Sequence, residues 1–193
     1  MKQPGIKNTD LTETCISSAT LVEGKLLLAK CDSVRMPDGR VAQREYIVHR
    51  GAVLVIPILP DGHLVMERQF RYPLRQTFIE LPAGKIDAGE DPLFTGQREL
   101  LEETGYTAGD WQFLAKLHPC IGYSDEVIHI YLARDLTLGQ HKRDEDELLE
   151  IFSMSLLEAM EALRRGEITD GKTMVALFWA EKHLNGAWSL PPG

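Results

Sequence analysis

Three glutamates, Glu99, Glu102 and Glu103, stand at offsets of three and four within the stretch Gly84 to Tyr106, GKIDAGEDPLFTGQRELLEETGY. On an α-helix that spacing places all three carboxylates along one face. Carboxylates gathered in this way can ligate a hard divalent cation such as Mg²⁺, which takes oxygen donors from one or two side chains and leaves its other positions to water and phosphate oxygens. A cation held in this way could polarise bound water. A helix carrying three glutamates also describes an ordinary solvated face. The repulsion is only about 0.2–0.5 kcal/mol per pair, so the triplet alone decides nothing. Its surroundings carry more weight: Gly84 and Glu90 upstream, Arg98 next to the first glutamate, and Gly105-Tyr106 after the last.

These residues need a helix, and the spacing predicts one from Pro92 to Thr104, with Pro92 suited to the first turn and Gly105 to the position just past the end. Upstream, Ser17 to Asp32 and Val41 to His49 read as short strands, with Pro37-Asp38-Gly39 as the turn between them. Gly51 to Leu59 is a nearly continuous apolar run, as expected of a strand covered on both faces, and Pro60-Asp61-Gly62 turns it into a strand over His63 to Gln69. Phe78 to Leu81 is a shorter strand running into a turn at Pro82-Ala83-Gly84. Trp111 to Leu117, Val127 to Ala133 and Glu150 to Met154 read as further strands, with Trp111 and Phe113 alternating into the core. Leu156, Met160 and Leu163 recur at helical spacing, and a last helix is expected from about Lys172 to Leu184. The pattern predicts an α/β fold: a mixed central sheet sandwiched between helices over residues 50–193, preceded by a small N-terminal β lobe over residues 1–49.

Composition sets limits on function. The 193 residues are 44% hydrophobic and 26% charged, ordinary for a globular domain, with a formal charge of -8. No basic stripe is present, so the electrostatic term that drives nucleic-acid binding is missing. A phosphorylated substrate is expected to arrive with a cation. Cys15, Cys31 and Cys120 are odd in number and form no CxxC, which argues against a disulfide framework or a zinc ribbon and fits a reducing cytoplasm. No run of apolar residues is long enough to span a membrane, and the N-terminus lacks the apolar core of a signal peptide.

With these residues in view, the chain resembles the Nudix hydrolase family. Its signature runs Gly, five residues, Glu, seven residues, Arg-Glu-apolar-any-Glu-Glu-any-Gly-apolar, and every specified position is filled. At average residue usage, a chance match somewhere in the chain is on the order of one in ten million. The resemblance implies the Nudix-type α/β/α sandwich and a cofactor of Mg²⁺ or Mn²⁺. Glu99 and Glu103 would be metal ligands together with the carbonyl of Ala83, Glu102 an auxiliary ligand, and Arg98 would pair with Glu90 to brace the loop. Gly96 stands where related helices carry Ala. Glycine inside a helix costs about 1 kcal/mol, and close packing is one reason to keep it.

Flanking segments, GAVLVIPILPDGHLVMERQFRYPL before the box, HPCIGYSDEVIHIYLARDL after it and RDEDELLEI further on, are similar to the branch that hydrolyses ADP-ribose and related nucleotide sugars. By that resemblance Arg71 and Arg44 would grip the diphosphate and ribose, since a planar guanidinium suits phosphate oxygens. Glu126, in the Ser124-Asp125-Glu126 loop, would touch substrate. The acidic run Asp144-Glu145-Asp146-Glu147, on a predicted loop, would supply the general base, Glu145, and a further metal ligand, Glu147. A homodimer joined through the N-terminal lobe is implied as well. Two departures keep the substrate open. Ile121 replaces an expected proline in Pro119-Cys120-Ile121-Gly122, and Lys25-Leu26-Leu27-Leu28 offers no aromatic to stack on a base. ADP-glucose, GDP-mannose and dinucleoside polyphosphates stay as alternatives.

Other patterns compete. Residues 166–173, GEITDGKT, satisfy the phosphate-loop spacing of Gly, four residues, Gly-Lys-Thr. The preceding residues are helix-periodic where a phosphate loop follows a strand, and Glu167 and Asp170 would oppose phosphate. The segment reads better as a helix connection, with Asp170 capping the last helix. The six histidines show no metal-ligand spacing, and Cys120 near His118 makes no nucleophilic dyad. A non-catalytic nucleotide-sugar sensor would be expected to lose box glutamates, and none is lost.

Overall fold

The computed structural model describes residues 9–139 and 148–188, and these fall into two compact units. The first is formed by the described part of Met1–His49 together with Cys120–Asp125. Its three strands, β1 (Thr14–Glu23), β2 (Leu28–Arg35) and β3 (Val41–Val48), make an antiparallel meander. The turn between β2 and β3 is the expected Pro37-Asp38-Gly39. Gly39 takes a φ of 87° there, and Met36 N–H and the Arg40 carbonyl close the loop at 2.8 Å. Strand β1 is exposed along its whole length, Ile16, Leu21 and Val22 included. The segment Cys120–Asp125, distant in sequence, is pinned to β3: Ile47 N–H donates to the Tyr123 carbonyl at 2.9 Å and His49 N–H to Asp125 Oδ1 at 2.7 Å.

The described residues of the second unit form two sheets and three α-helices. β4 (Ala52–Pro57) runs through the middle of a four-stranded sheet, paired antiparallel with β7 (Ala83–Lys85) and parallel with β9 (Ile128–Leu138), which pairs antiparallel with β8 (Tyr106–Leu117). The sheet is mixed, as expected. Side chains alternate along a strand, so β4 feeds two cores. Leu54 and Ile56 pack with Ile130, Leu132, Ala176, Leu177 and Ala180, the last three from α3 (Gly171–Leu184). Val53 and Val55 pack on the other face with Ile86, Leu100 and Ala133, beside α1 (Pro92–Glu99). That double burial is why Gly51 to Leu59 reads as unbroken apolar sequence. The second sheet, β10 (Leu149–Ser155), β5 (His63–Arg71) and β6 (Gln76–Glu80), is antiparallel and joins the first core through Leu64 and Met66. β10 leads directly into α2 (Leu156–Arg164), started by a capping box between Ser155 and Glu158.

Three local expectations change. Ala83 and Gly84 do not turn. They form β7 with Lys85, because the edge of β4 needs a partner, and Val55 N–H also takes the Pro82 carbonyl at 2.9 Å. The helix over Pro92 to Thr104 is α-helical only to Glu99 and ends in one π-type turn, Leu100–Thr104, closed by Gly105 at φ 78°. Phe113 is not core: it is exposed, while its neighbour Leu114 is fully buried. A bulge between Phe113 and Ala115 makes Leu114 the extra residue and turns it inward, whereas Trp111, before the bulge, packs on the second core as expected.

Candidate active site

Helix α1 is aimed by its first turn. Asp91 caps it, accepting from Leu93 N–H at 2.9 Å and Phe94 N–H at 3.4 Å, and Pro92 occupies the first helical position. Just before the cap, Glu90 accepts from Arg98 Nε at 3.0 Å and Nη2 at 3.1 Å, from Thr95 Oγ1 at 2.7 Å and from Asp87 N–H at 3.2 Å. The Arg98 guanidinium, then the Thr95 hydroxyl, hold the Glu90 carboxyl down to about 2. Arg98 also donates through Nη1 to Glu99 Oε1 and Glu102 Oε2, both at 2.8 Å, and through Nη2 to the Lys85 carbonyl at 3.2 Å. One cation thus ties three carboxylates and the end of β7 together, and its own pKa is raised, first by Glu90. Three carboxylates share this one guanidinium, and Glu103 adds a fourth on the same segment. Such an excess of negative charge calls for further cations.

Glu99 and Glu103 both turn toward β7. Glu103, buried in the π-type turn, accepts the Ala83 N–H at 3.0 Å through Oε2. Glu99, with a side chain only 14% exposed, lies against Gly84 so closely that a Cβ there would collide with its carboxylate. Glu102 is turned outward, its side chain 35% exposed. The three glutamates are therefore not equivalent, although simple helical spacing puts them on one face. Among the described residues no group of three His, Cys, Asp or Glu side chains is gathered tightly enough to hold a metal alone. The donor set at this place is two carboxylates on the backbone of Ala83–Gly84, all of it hard oxygen, and that chemistry fits a Mg²⁺-like ion rather than a softer one.

The remaining predicted residues lie elsewhere. Arg71, at the end of β5, forks onto Glu80: Nε to Oε1 and Nη2 to Oε2, each at 2.7 Å. Arg44 belongs to the first unit, where Nε donates to Glu13 Oε2 at 2.9 Å. Glu126 is half-buried just before β9. Glu145 and Glu147 lie outside the described residues. GEITDGKT is preceded by α2 rather than a strand, and Asp170 caps α3 by accepting Thr173 N–H at 3.0 Å, so no phosphate loop is built. The sequence reading missed Glu67, Glu80 and Lys172. Glu67 and Glu80 are each 1% exposed, and a charged residue inside an apolar strand is the signal that marked them. Burial pushes the Glu80 carboxyl up, but Arg71 and Lys172 outweigh it and leave it lowered.

Comparison with known proteins identifies the family. Residues 48–178 match the model of the NUDIX domain. An ADP-ribose pyrophosphatase of Bacillus subtilis is 37% identical over 173 residues, covering 89% of this chain and 94% of that protein. A methanol dehydrogenase activator of Bacillus methanolicus is 36% identical over 171 residues, covering 88% and 92%. The crystal structure of an ADP compounds hydrolase superposes with a TM-score of 0.82 at 27% identity, over 93% of this chain and 98% of the other.

Proposed function

The chain belongs to the Nudix family, and from that premise we propose that it hydrolyses the diphosphate bond of ADP-ribose, to AMP and ribose 5-phosphate, or that of a related nucleoside diphosphate sugar. It is a Nudix pyrophosphohydrolase. The observation that carries the reading is the convergence of Glu99 and Glu103 on the Ala83–Gly84 backbone, braced by Arg98 and Glu90. Mg²⁺ or Mn²⁺ is the proposed cofactor, with Glu99, Glu103 and the Ala83 carbonyl as its holders, Glu102 auxiliary and Glu147 a further ligand. Such an ion lowers the pKa of water and offsets the negative charge of a diphosphate.

The protein's own groups do the rest. Glu145 takes the proton from the attacking water, as a carboxylate placed near the reacting phosphorus can. Arg71 and Arg44 grip the diphosphate and ribose by paired N–H donors, and Glu126 contacts the substrate. Water adds at one phosphorus, the bridging oxygen leaves with the other phosphate, and no covalent intermediate forms. The name of the ADP-ribose pyrophosphatase favours ADP-ribose over the other nucleotide sugars. A homodimer through the N-terminal sheet is part of the proposal, supported by the apolar residues exposed on β1. Light scattering at the mass of one chain would remove it. No helix among the described residues is long and apolar enough to cross a membrane, and the cysteines are free, which supports a reducing cytoplasm.

The test is a panel of ADP-ribose, ADP-glucose, GDP-mannose and dinucleoside polyphosphates with Mg²⁺, products read by chromatography. The expected result is AMP and ribose 5-phosphate from ADP-ribose, with kcat/KM at least about tenfold above each other compound. No cleavage of any diphosphate would overturn the assignment.

A further inference from the structure

The segment Gly166–Thr173, which has phosphate-loop spacing without the fold, ends in two side chains that reach the last residue of β6 and the residue after it. Lys172 Nζ donates to the Glu80 carboxylate and, at 2.9 Å, to Asp170 Oδ2. Thr173 Oγ1 accepts the N–H of Leu81 at 3.1 Å. The Lys172 side chain is 16% exposed and Thr173 is fully buried. The first turn of α3 therefore supports the strand that carries Glu80, three residues before Ala83.

Glu80 is the residue that orients Arg71. The fork uses Nε and Nη2 and leaves Nη1 outside it, on a side chain 38% exposed. Directly across the β5–β6 ladder from Glu80 stands Glu67, equally buried. Like charges opposite each other on neighbouring strands repel, and carboxylates removed from water need cations close by. A single guanidinium facing two buried carboxylates has no net positive charge left for a phosphate. Lys172 is a second cation beside Glu80, and since Asp170 takes its charge as well, its part is to hold the Glu80 carboxylate in place.

We propose that Lys172 is a positioning residue for substrate binding: by holding Glu80 it fixes the carboxylate that orients Arg71, so that the Nη1 edge left outside the fork is presented to the substrate's diphosphate. The proposal rests on the reading of Arg71 as a diphosphate ligand. It gives the Gly-Lys-Thr triplet a task in phosphate recognition at one remove, with Asp170 anchoring Lys172 to the helix start.

The test is steady-state kinetics on ADP-ribose with Mg²⁺ for Lys172→Met, Lys172→Arg, Arg71→Ala and the Arg71→Ala/Lys172→Met pair. Lys172→Met is expected to raise KM about tenfold with kcat within about threefold, and Lys172→Arg to keep KM within about threefold of wild type. In the Arg71→Ala background Lys172→Met should change KM by less than about twofold, because the group it serves is gone. If Lys172→Met does not fold, as judged by circular dichroism, Lys172→Gln is expected to give the same rise. An unchanged KM, or the same rise with and without Arg71, overturns the proposal. An Arg71→Ala variant with wild-type KM instead overturns the reading of Arg71, so the two failures are distinct.

Discussion

The carboxylate of Glu99 occupies the space that any side chain at residue 84 would need, so that a Cβ built on Gly84 would fall within bonding range of Glu99 Cδ and Oε1. The glycine that opens the Nudix box is thus required by the second glutamate of that box, fifteen residues on in the sequence. Glu99 can yield to an alanine, since it is the far end of a flexible side chain, but it then leaves its place. Gly84→Ala is expected to keep the fold, with little change in melting temperature, and to lower kcat/KM by about 100-fold, or about 2.7 kcal/mol. Activity within about threefold of wild type would show that the position of Glu99 does not matter.

Glu90 makes a stability prediction with a definite sign. Its carboxyl is held from 4.5 down to about 2 in the folded chain, by Arg98 and then Thr95. A carboxyl depressed on folding stabilises above its unfolded pKa, and that contribution is lost as pH falls toward the folded value. The stability difference between wild type and Glu90→Gln, from denaturant titrations, should be constant above about pH 5, shrink below 4.5 and be nearly gone at about 2. A difference that ignores pH over this range would mean that the ion pair with Arg98 does not form.

Gly96 has a packing reason. A Cβ there would stand 3.1 Å from Val53 Cγ1 and 3.5 Å from Trp111 Cζ3, and Val53 sits fully buried in the central strand, unable to give way. Alanine would gain about 1 kcal/mol of helix propensity but add a methyl to a closed contact, where overpacking costs about 1–3 kcal/mol. Gly96→Ala is therefore expected to be destabilising by about 1 kcal/mol in equilibrium unfolding, with turnover retained. A rise in stability would show that the contact is slack.

Glu145→Gln addresses the proton. Loss of a general base is expected to leave KM for ADP-ribose within about threefold and to lower kcat by about 100-fold or more. If this variant turns over like wild type, the base is another residue.

How far the site could be read from the chain depended on distance along it. The box residues were legible because their meaning lies in short spacings: Glu90 meets Arg98 eight residues on, and Arg98 meets Glu102 across one turn. The apolar run at β4 was legible too, since burial on two faces leaves no polar alternation. What spacing could not show was the contact of Lys172 with Glu80, 92 residues apart, made only because the first turn of α3 meets the end of β6. It also missed the strand at Ala83–Lys85, whose small residues resemble a turn, and the bulge that exchanged Phe113 for Leu114 in the core. The π-type turn lay beyond helical periodicity as well, and it accompanies the difference between inward Glu103 and outward Glu102.

The central claim is that Glu99 and Glu103 together collect a divalent cation for diphosphate hydrolysis. It is tested most directly by titrating Mn²⁺ into wild type and the Glu99→Gln/Glu103→Gln variant while assaying ADP-ribose cleavage on the same samples. The account predicts that wild type binds the ion and cleaves the substrate, and that the variant, still folded, loses about 100-fold or more in both. A folded variant that binds Mn²⁺ and turns over within about threefold of wild type would contradict it.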